Sequence, residues 1–201
     1  MLDAKLRPLI DPPLNRMGRA LAGAGVTANQ LTFAGLALGL AGAAAIAFGH
    51  LGWGLALILA NRLLDGLDGA VARARGPSDF GGYCDIVADF AFYVSVPVAF
   101  GLLAPGNAVP ALVLVASFVL TGVSFLAFAV IAAKRGLDTA AHGRKSFFYS
   151  TGLAEGTETI LVFVAMCLFP AWFAVLAYAY AALCVLTVFQ RSALAAALFR
   201  D

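Results

Sequence analysis

Charge is what this chain has least of. Only 12% of its 201 residues are charged and the formal net charge is +2, while 62% are hydrophobic; the mean hydropathy is +0.93. A soluble domain carries about a quarter charged and about half apolar residues. The composition therefore excludes an ordinary soluble domain and points to a polytopic membrane protein built as one bundle. The near-neutral balance and the lack of any Lys/Arg run exclude nucleic acid as a partner. Cysteine is scarce too. Cys84, Cys167 and Cys184 are scattered through apolar stretches, which excludes a disulfide framework and a thiolate metal site; they read as small packing residues. His50 and His142 stand apart from any neighbour at ligand spacing. The opening Met-Leu-Asp-Ala-Lys-Leu-Arg-Pro mixes charges and leads into no apolar core, so no cleavable signal peptide is expected.

Long apolar runs are what the chain has in abundance. A spanning helix needs about 20 predominantly apolar residues. By that measure six spans are expected, near 29–49, 51–74, 80–104, 109–133, 152–169 and 171–195. Residues 1–25 differ. Leu2, Leu6, Leu9 and Ile10 fall on one side, with Lys5, Arg7, Arg16 and Arg19 among the polar positions, as in an interfacial amphipathic helix, here expected to break at Pro12-Pro13. The fold expected is all-α and integral to the membrane: this N-terminal segment, then a six-helix domain over 26–201. Basic residues set its orientation. Lys5, Arg7, Arg16, Arg19, Arg73, Arg75, Lys134, Arg135, Arg144, Lys145 and Arg200 fall on one side, and the loops near 50, 106 and 170 have none. Both termini should face the cytoplasm, in a bacterium across the inner membrane. Gly35-x3-Gly39 in the first span would let helix backbones approach closely.

Against this background two acidic runs stand out: Asp65-Gly-Leu-Asp68-Gly69-Ala-Val-Ala72-Arg73 and Gly81-Gly-Tyr-Cys-Asp85-Ile-Val-Ala-Asp89. An ionised Asp at a bilayer centre costs about 2.5–3.5 kcal/mol even on lenient scales. Four within 25 residues demand a compensating partner. Residues three, four and seven apart share a helix face. Asp65, Asp68, Gly69 and Ala72 thus form one stripe on the second span, and Gly81, Asp85 and Asp89 another on the third. A short turn around Pro77-Ser78-Asp79 would make the two helices antiparallel neighbours with converging carboxylates. Such a set suits hard cations, Mg²⁺ or Mn²⁺, and is enough for a two-metal site of the kind that clamps a diphosphate. The competing reading is that the acids merely satisfy Arg62 or Arg73.

The pattern Asp-x2-Asp-Gly-x2-Ala-Arg, a short gap, then Gly-x3-Asp-x3-Asp resembles the signature of the CDP-alcohol phosphotransferases, met here at Asp65, Asp68, Gly69, Ala72, Arg73, Gly81, Asp85 and Asp89. Thr27-Ala28-Asn29-Gln30-Leu31-Thr32 is similar to that family's Thr-Pro-Asn-x-x-Thr, with Ala28 in place of the Pro. The resemblance implies transfer of a substituted phosphate from a CDP-alcohol, CDP-diacylglycerol foremost, to a hydroxyl of a small polar acceptor, with CMP released, in phospholipid biosynthesis. It implies two divalent cations on Asp65, Asp68, Asp85 and Asp89, with Asp89 also the general base. It places the CDP moiety on Asn29, Gly69, Ala72, Arg73 and Gly81, and it implies a homodimer among membrane lipids.

A second polar cluster lies between the fourth and fifth spans. Arg135, Arg144 and Lys145 would suit a phosphorylated acceptor; anchoring helix ends to anionic head groups is the alternative. Glu155 and Glu158, at the start of the fifth span, would sit well on a helix N-terminus or pair with Arg144 or Lys145. Two rival functions remain open. In an intramembrane prenyltransferase of the UbiA type, Asn61-x3-Asp65 and Asp85-x3-Asp89 would hold a magnesium diphosphate. In a divalent-cation transporter the same acids would form the transport site.

Overall fold

The computed structural model describes residues 2–136 and 153–199, with side chains from residue 8 onward. These form seven helices: α1 (Leu2–Gly23), α2 (Ala28–Ala47), α3 (Leu51–Arg75), α4 (Asp79–Leu103), α5 (Ala108–Lys134), α6 (Gly156–Leu168) and α7 (Phe173–Leu198). Four of them, α2, α4, α5 and α7, are long and apolar enough to cross a membrane. The expectation of six spans is met only there. The 25 residues of α3 include Arg62, Asp65, Asp68, Arg73 and Arg75, too many charges for an ordinary span. The 13 residues of α6 fall short of the about 20 that cross the hydrocarbon. The outer faces are apolar, as an integral membrane protein requires: Leu112, Val123 and Val130 of α5 are 68%, 61% and 67% exposed.

α1 differs from its expectation. It runs unbroken through Pro8, Pro12 and Pro13. A proline inside a helix removes one amide donor and crowds a carbonyl. Here Pro12 and Pro13 lie on the exposed side, where water or head groups can take the freed carbonyls. Packing just beyond them holds the axis: Leu14 presses on Gly66 and Gly18 on Ala70, so closely that neither glycine could carry a Cβ without a shift.

The core lies between α4, α5, α6 and α7, where Phe92, Phe100, Phe118, Phe163, Met166, Phe173 and Tyr180 interlock. Phe100 stacks on Phe173 with centroids 4.7 Å apart. Ala43, Ile46 and Ile58 extend this core to α2 and α3. Gly35 and Gly39 are buried inside the bundle, so the GxxxG serves packing within one chain. A Cβ at Gly39 would sit 2.6 Å from the Phe92 ring and 3.1 Å from Asn61 Nδ2. Overpacking of this kind costs about 1–3 kcal/mol. Gly39→Val should lower the thermal midpoint of the detergent-solubilised protein, whereas Gly52→Ala, whose Cβ would meet open space, should leave it unchanged. Equal midpoints for the two variants would contradict this packing.

α3 ends at Gly76, whose φ of 97° suits only glycine comfortably, and Pro77-Ser78 leads straight into α4. The Ser78 Oγ caps α4 by accepting from the Gly81 amide at 3.1 Å. The chain therefore doubles back as expected. The two helices are not close-packed neighbours, however: α2 packs against both of them, while the backbones of α3 and α4 stay apart and Arg62 bridges them through its side chain. That wedge leaves a cleft between the two acidic stripes.

Candidate functional site: a carboxylate cluster between α2, α3 and α4

Helical spacing on α3 aims Asn61, Arg62, Asp65 and Asp68 into the cleft, and α4 supplies Asp85, Ala88 and Asp89 from the other wall. Thr32, Gly35 and Leu36 of α2 form its back. Asp65, Asp68 and Asp85 each offer an oxygen within 4.8 Å of those of the other two. These are hard oxygen donors from two helices at the separation a single cation can bridge, and the set fits a divalent ion.

The surrounding groups hold the carboxylates in place. Thr32 Oγ1 donates to Asp68 Oδ2 at 2.6 Å, which fixes that carboxylate, the usual way a second layer orients a ligand. Thr32 is itself set by the start of α2. There Thr27 and Gln30 form a reciprocal capping box, Gln30 N to Thr27 Oγ1 at 3.3 Å and Thr27 N to Gln30 Oε1 at 2.9 Å. Ala28 occupies the first helical position, where proline is favoured for its preset φ. The capping box defines the helix start without it.

Asp89 is placed differently from the other three acids. Its Oδ1 accepts from Arg62 Nη2 at 3.0 Å, and Arg62 Nη1 also lies 3.6 Å from Asp65 Oδ2. The guanidinium is 16% exposed. Its Nε donates to Asn61 Oδ1 at 2.8 Å and its Nη1 to the Tyr93 hydroxyl at 3.3 Å. Its carbon stands 4.6 Å over the Phe92 ring, a favourable cation–π position. Asn61 is anchored in turn by donating to the Gly35 carbonyl at 2.8 Å. Arg62 thus neutralises part of the acidic charge, as the competing reading supposed, while Asp65, Asp68 and Asp85 still converge as a separate trio.

The residues tied to the CDP moiety by resemblance fall into two groups. Asn29 and Gly81 meet: a Cβ on Gly81 would lie 3.2 Å from Asn29 Oδ1, so any larger residue would push Asn29 aside. Gly69 and Ala72 lie on α3 beside Arg73, and a Cβ on Gly69 would lie 3.3 Å from Arg73 Nη1. The Arg73 fork is held by Asn15 of α1, whose Oδ1 accepts from Nε at 3.2 Å and from Nη2 at 2.9 Å. Of the acceptor candidates, Arg144 and Lys145 lie outside the described residues. Arg135 is the C-cap residue of α5 and stands 5.7 Å over the Phe199 ring.

Near the start of α6, Glu155 is the N-cap residue. Its carbonyl accepts from the Thr159 hydroxyl at 2.9 Å, and Thr159 Oγ1 lies 2.7 Å from the Tyr180 hydroxyl. Thr187 Oγ1 accepts from the Leu153 and Ala154 amides at 3.1 and 3.0 Å. On α7, Arg191 Nη1 donates to the Thr121 carbonyl and to Ser124 Oγ at 2.9 and 2.6 Å. These bonds fasten the segment before α6, and α5, to α7.

Sequence reasoning named Arg62 as a partner for the acids without singling out Asp89, quoted Thr32 only as part of the Thr27–Thr32 likeness without its bond to Asp68, and missed Asn15 and Tyr93. The signal for Arg62 was half present: it stands three residues before Asp65 on the same face. Its bond to Asp89 spans 27 residues and has no local signature.

An apolar helical bundle that gathers three aspartates into one cleft has the donor set of a divalent-metal site in an integral membrane protein. The chain belongs to the CDP-alcohol phosphatidyltransferase family, which it matches over residues 25–190. It is 51% identical over 195 residues to the inner membrane protein YnjF of Escherichia coli K12, covering 95% of this chain and 93% of that one. It is also 38% identical over 87 residues to the archaetidylinositol phosphate synthase of Pyrococcus horikoshii, 43% of this chain and 46% of that one. Its fold is that of the phosphatidylinositol phosphate synthase PgsA1 of Mycobacterium tuberculosis. With CDP-DAG bound, that structure superposes at a TM-score of 0.64 with 24% identity, over 89% of this chain and 90% of that one. A complex of PgsA1 with manganese and citrate superposes at 0.63 with 23% identity, over 89% and 86%.

Proposed function

We propose that this phosphatidyltransferase moves the phosphatidyl group of CDP-diacylglycerol onto a hydroxyl of a small, phosphorylated acceptor, releasing CMP, in phospholipid biosynthesis. The observation that carries the reading is the convergence of Asp65, Asp68 and Asp85 to within 4.8 Å at the positions of the family's acidic signature. The binding of CDP-DAG and of manganese by the PgsA1 neighbours supports it, as does the inner-membrane relative. We read six spans in a bacterial inner membrane, with α3 as the charged member and α6 as the short member beside the four apolar helices, residues 1–25 as an interfacial helix and 26–201 as the catalytic domain. The carboxylate end and both termini face the cytoplasm, because the basic loops lie at that end.

Two divalent cations, Mg²⁺ or Mn²⁺, would be held by Asp65, Asp68, Asp85 and Asp89, and they supply charge stabilisation to the diphosphate. Asn29, Gly69, Ala72, Arg73 and Gly81 hold the CDP moiety: the small residues leave room for it, and the Arg73 fork suits a phosphate oxygen. Asp89 takes the proton of the acceptor hydroxyl as its oxygen attacks the phosphatidyl phosphorus and the bond to the CMP oxygen breaks. Arg135, Arg144 and Lys145 meet the acceptor's phosphate. A homodimer fits the family's habit.

The direct test is CMP release by purified protein given CDP-diacylglycerol, Mn²⁺ and a panel of acceptors: glycerol 3-phosphate, inositol phosphate and serine. CMP should appear with a phosphorylated acceptor and fail to appear with serine. Pyrophosphate release from a prenyl diphosphate would favour a UbiA-type prenyltransferase, and metal uptake into nucleotide-free proteoliposomes a transporter. Either result without CMP release would overturn the proposal.

A further inference from the structure

Arg62 does more in this site than balance charge. Its guanidinium bridges Asp89, at 3.0 Å, and Asp65, at 3.6 Å. Asp65 is also one of the three acids that could share an ion. Asp65 thus belongs both to a candidate cation site and to a fixed organic cation. The guanidinium is also held by Asn61 Oδ1 at 2.8 Å, by the Tyr93 hydroxyl at 3.3 Å and by the buried Phe92 ring at 4.6 Å. A planar fork in such a frame is far more constrained than a lysine ammonium in the same place. In a half-buried cleft, like charges in contact repel more than they do in bulk water. A second divalent ion drawing on Asp65 and Asp89 would have to enter against this positive group.

We propose that Arg62 is the resident cation of the Asp65–Asp89 half of the site: in the donor-free enzyme it takes the place of the second divalent ion. The protein alone then holds one divalent ion on Asp65, Asp68 and Asp85, and the second binds weakly. The negative diphosphate of a CDP-alcohol supplies the attraction that the second ion lacks, so loading of that ion follows donor binding. This rests on the metal reading given above and adds an order to it.

The test is a Mn²⁺ titration of the full chain in detergent, without nucleotide, followed by electron paramagnetic resonance of free and bound ion. Wild type should bind one Mn²⁺ per chain at least tenfold more tightly than any second. Arg62→Gln should tighten the second ion at least tenfold, change the first less than threefold, and give the spectrum of a spin-coupled pair. Arg62→Lys keeps the charge but loses the fork on Asn61 and Tyr93, and should tighten the second ion about threefold. It carries the test if the Gln variant does not purify as a monodisperse species. Two equally tight ions in wild type, or a second ion unmoved in both variants, would overturn the role of Arg62 while leaving the metal site standing. No bound Mn²⁺ in any of the three proteins would overturn the metal reading itself, and this proposal with it.

Discussion

Asp89→Asn should reduce CMP release about a thousandfold, within the range of about 10²–10⁴ that a positioned general base contributes, while CDP-diacylglycerol binding changes only a few-fold. The asparagine keeps the shape of the side chain and can still accept from Arg62 Nη2, which lies 3.0 Å from Asp89 Oδ1. What it loses is the capacity to take a proton and the charge that Arg62 faces. The pairing of Asp89 with Arg62 makes the variant informative. If Asp89 acts chiefly as a metal ligand, donor affinity and turnover should fall together, because the diphosphate would lose a cation. If it acts as the base, turnover falls alone. Wild-type turnover by the variant would remove Asp89 from the chemistry. Arg62 also gives the base a fixed address: with Asn61, Tyr93 and Phe92 around the guanidinium, the Asp89 carboxylate is steered by a rigid group rather than by solvent.

Much of this was legible in the sequence, and the reason is helical periodicity. Spacings of three and four put Asp65 and Asp68 on one face and Asp85 and Asp89 on another. Apolar runs located α2, α4, α5 and α7 to within a few residues of their ends. The capping pair Thr27 and Gln30 lies in the same short segment that carried the second resemblance. Relations between helices were not legible, since periodicity reports only which side of its own helix a residue occupies. The insertion of α2 between α3 and α4, the reach of Asn15 to Arg73 across 58 positions, and the bond from Arg62 to Asp89 all depend on three-dimensional packing. The break expected at Pro12-Pro13 failed for a related reason. The local cost of proline was correctly read, but the contacts of Leu14 and Gly18 with α3, which hold the helix axis beyond it, are tertiary.

Chelation should have an equally large effect: excess EDTA should abolish CMP release, and Mn²⁺ or Mg²⁺ should restore it. Three carboxylates whose oxygens lie within 4.8 Å of one another repel when ionised, and Arg62 stands 3.6 Å from Asp65 at one edge of the group. An ion bridging the trio relieves that repulsion, so it should stabilise the fold as well as the reaction. A ligand that binds only the folded state adds about 2.7 kcal/mol at a hundred times its dissociation constant. Mn²⁺ alone, without nucleotide, should therefore raise the thermal midpoint of the detergent-solubilised protein. Asp68→Ala should remove both that rise and the metal-restored activity, since it deletes a ligand together with the Thr32–Asp68 bond of 2.6 Å. Thr32→Val separates the two contributions. It leaves all the carboxylates in place but frees Asp68 to rotate, and loss of such an orienting partner typically costs 10–100-fold in metal affinity. High Mn²⁺ should rescue Thr32→Val and not Asp68→Ala. Full activity of wild type in excess EDTA would instead mean that the cluster answers to Arg62 and to nothing divalent, and the convergence of three aspartates from two helices would lose its chemical reason.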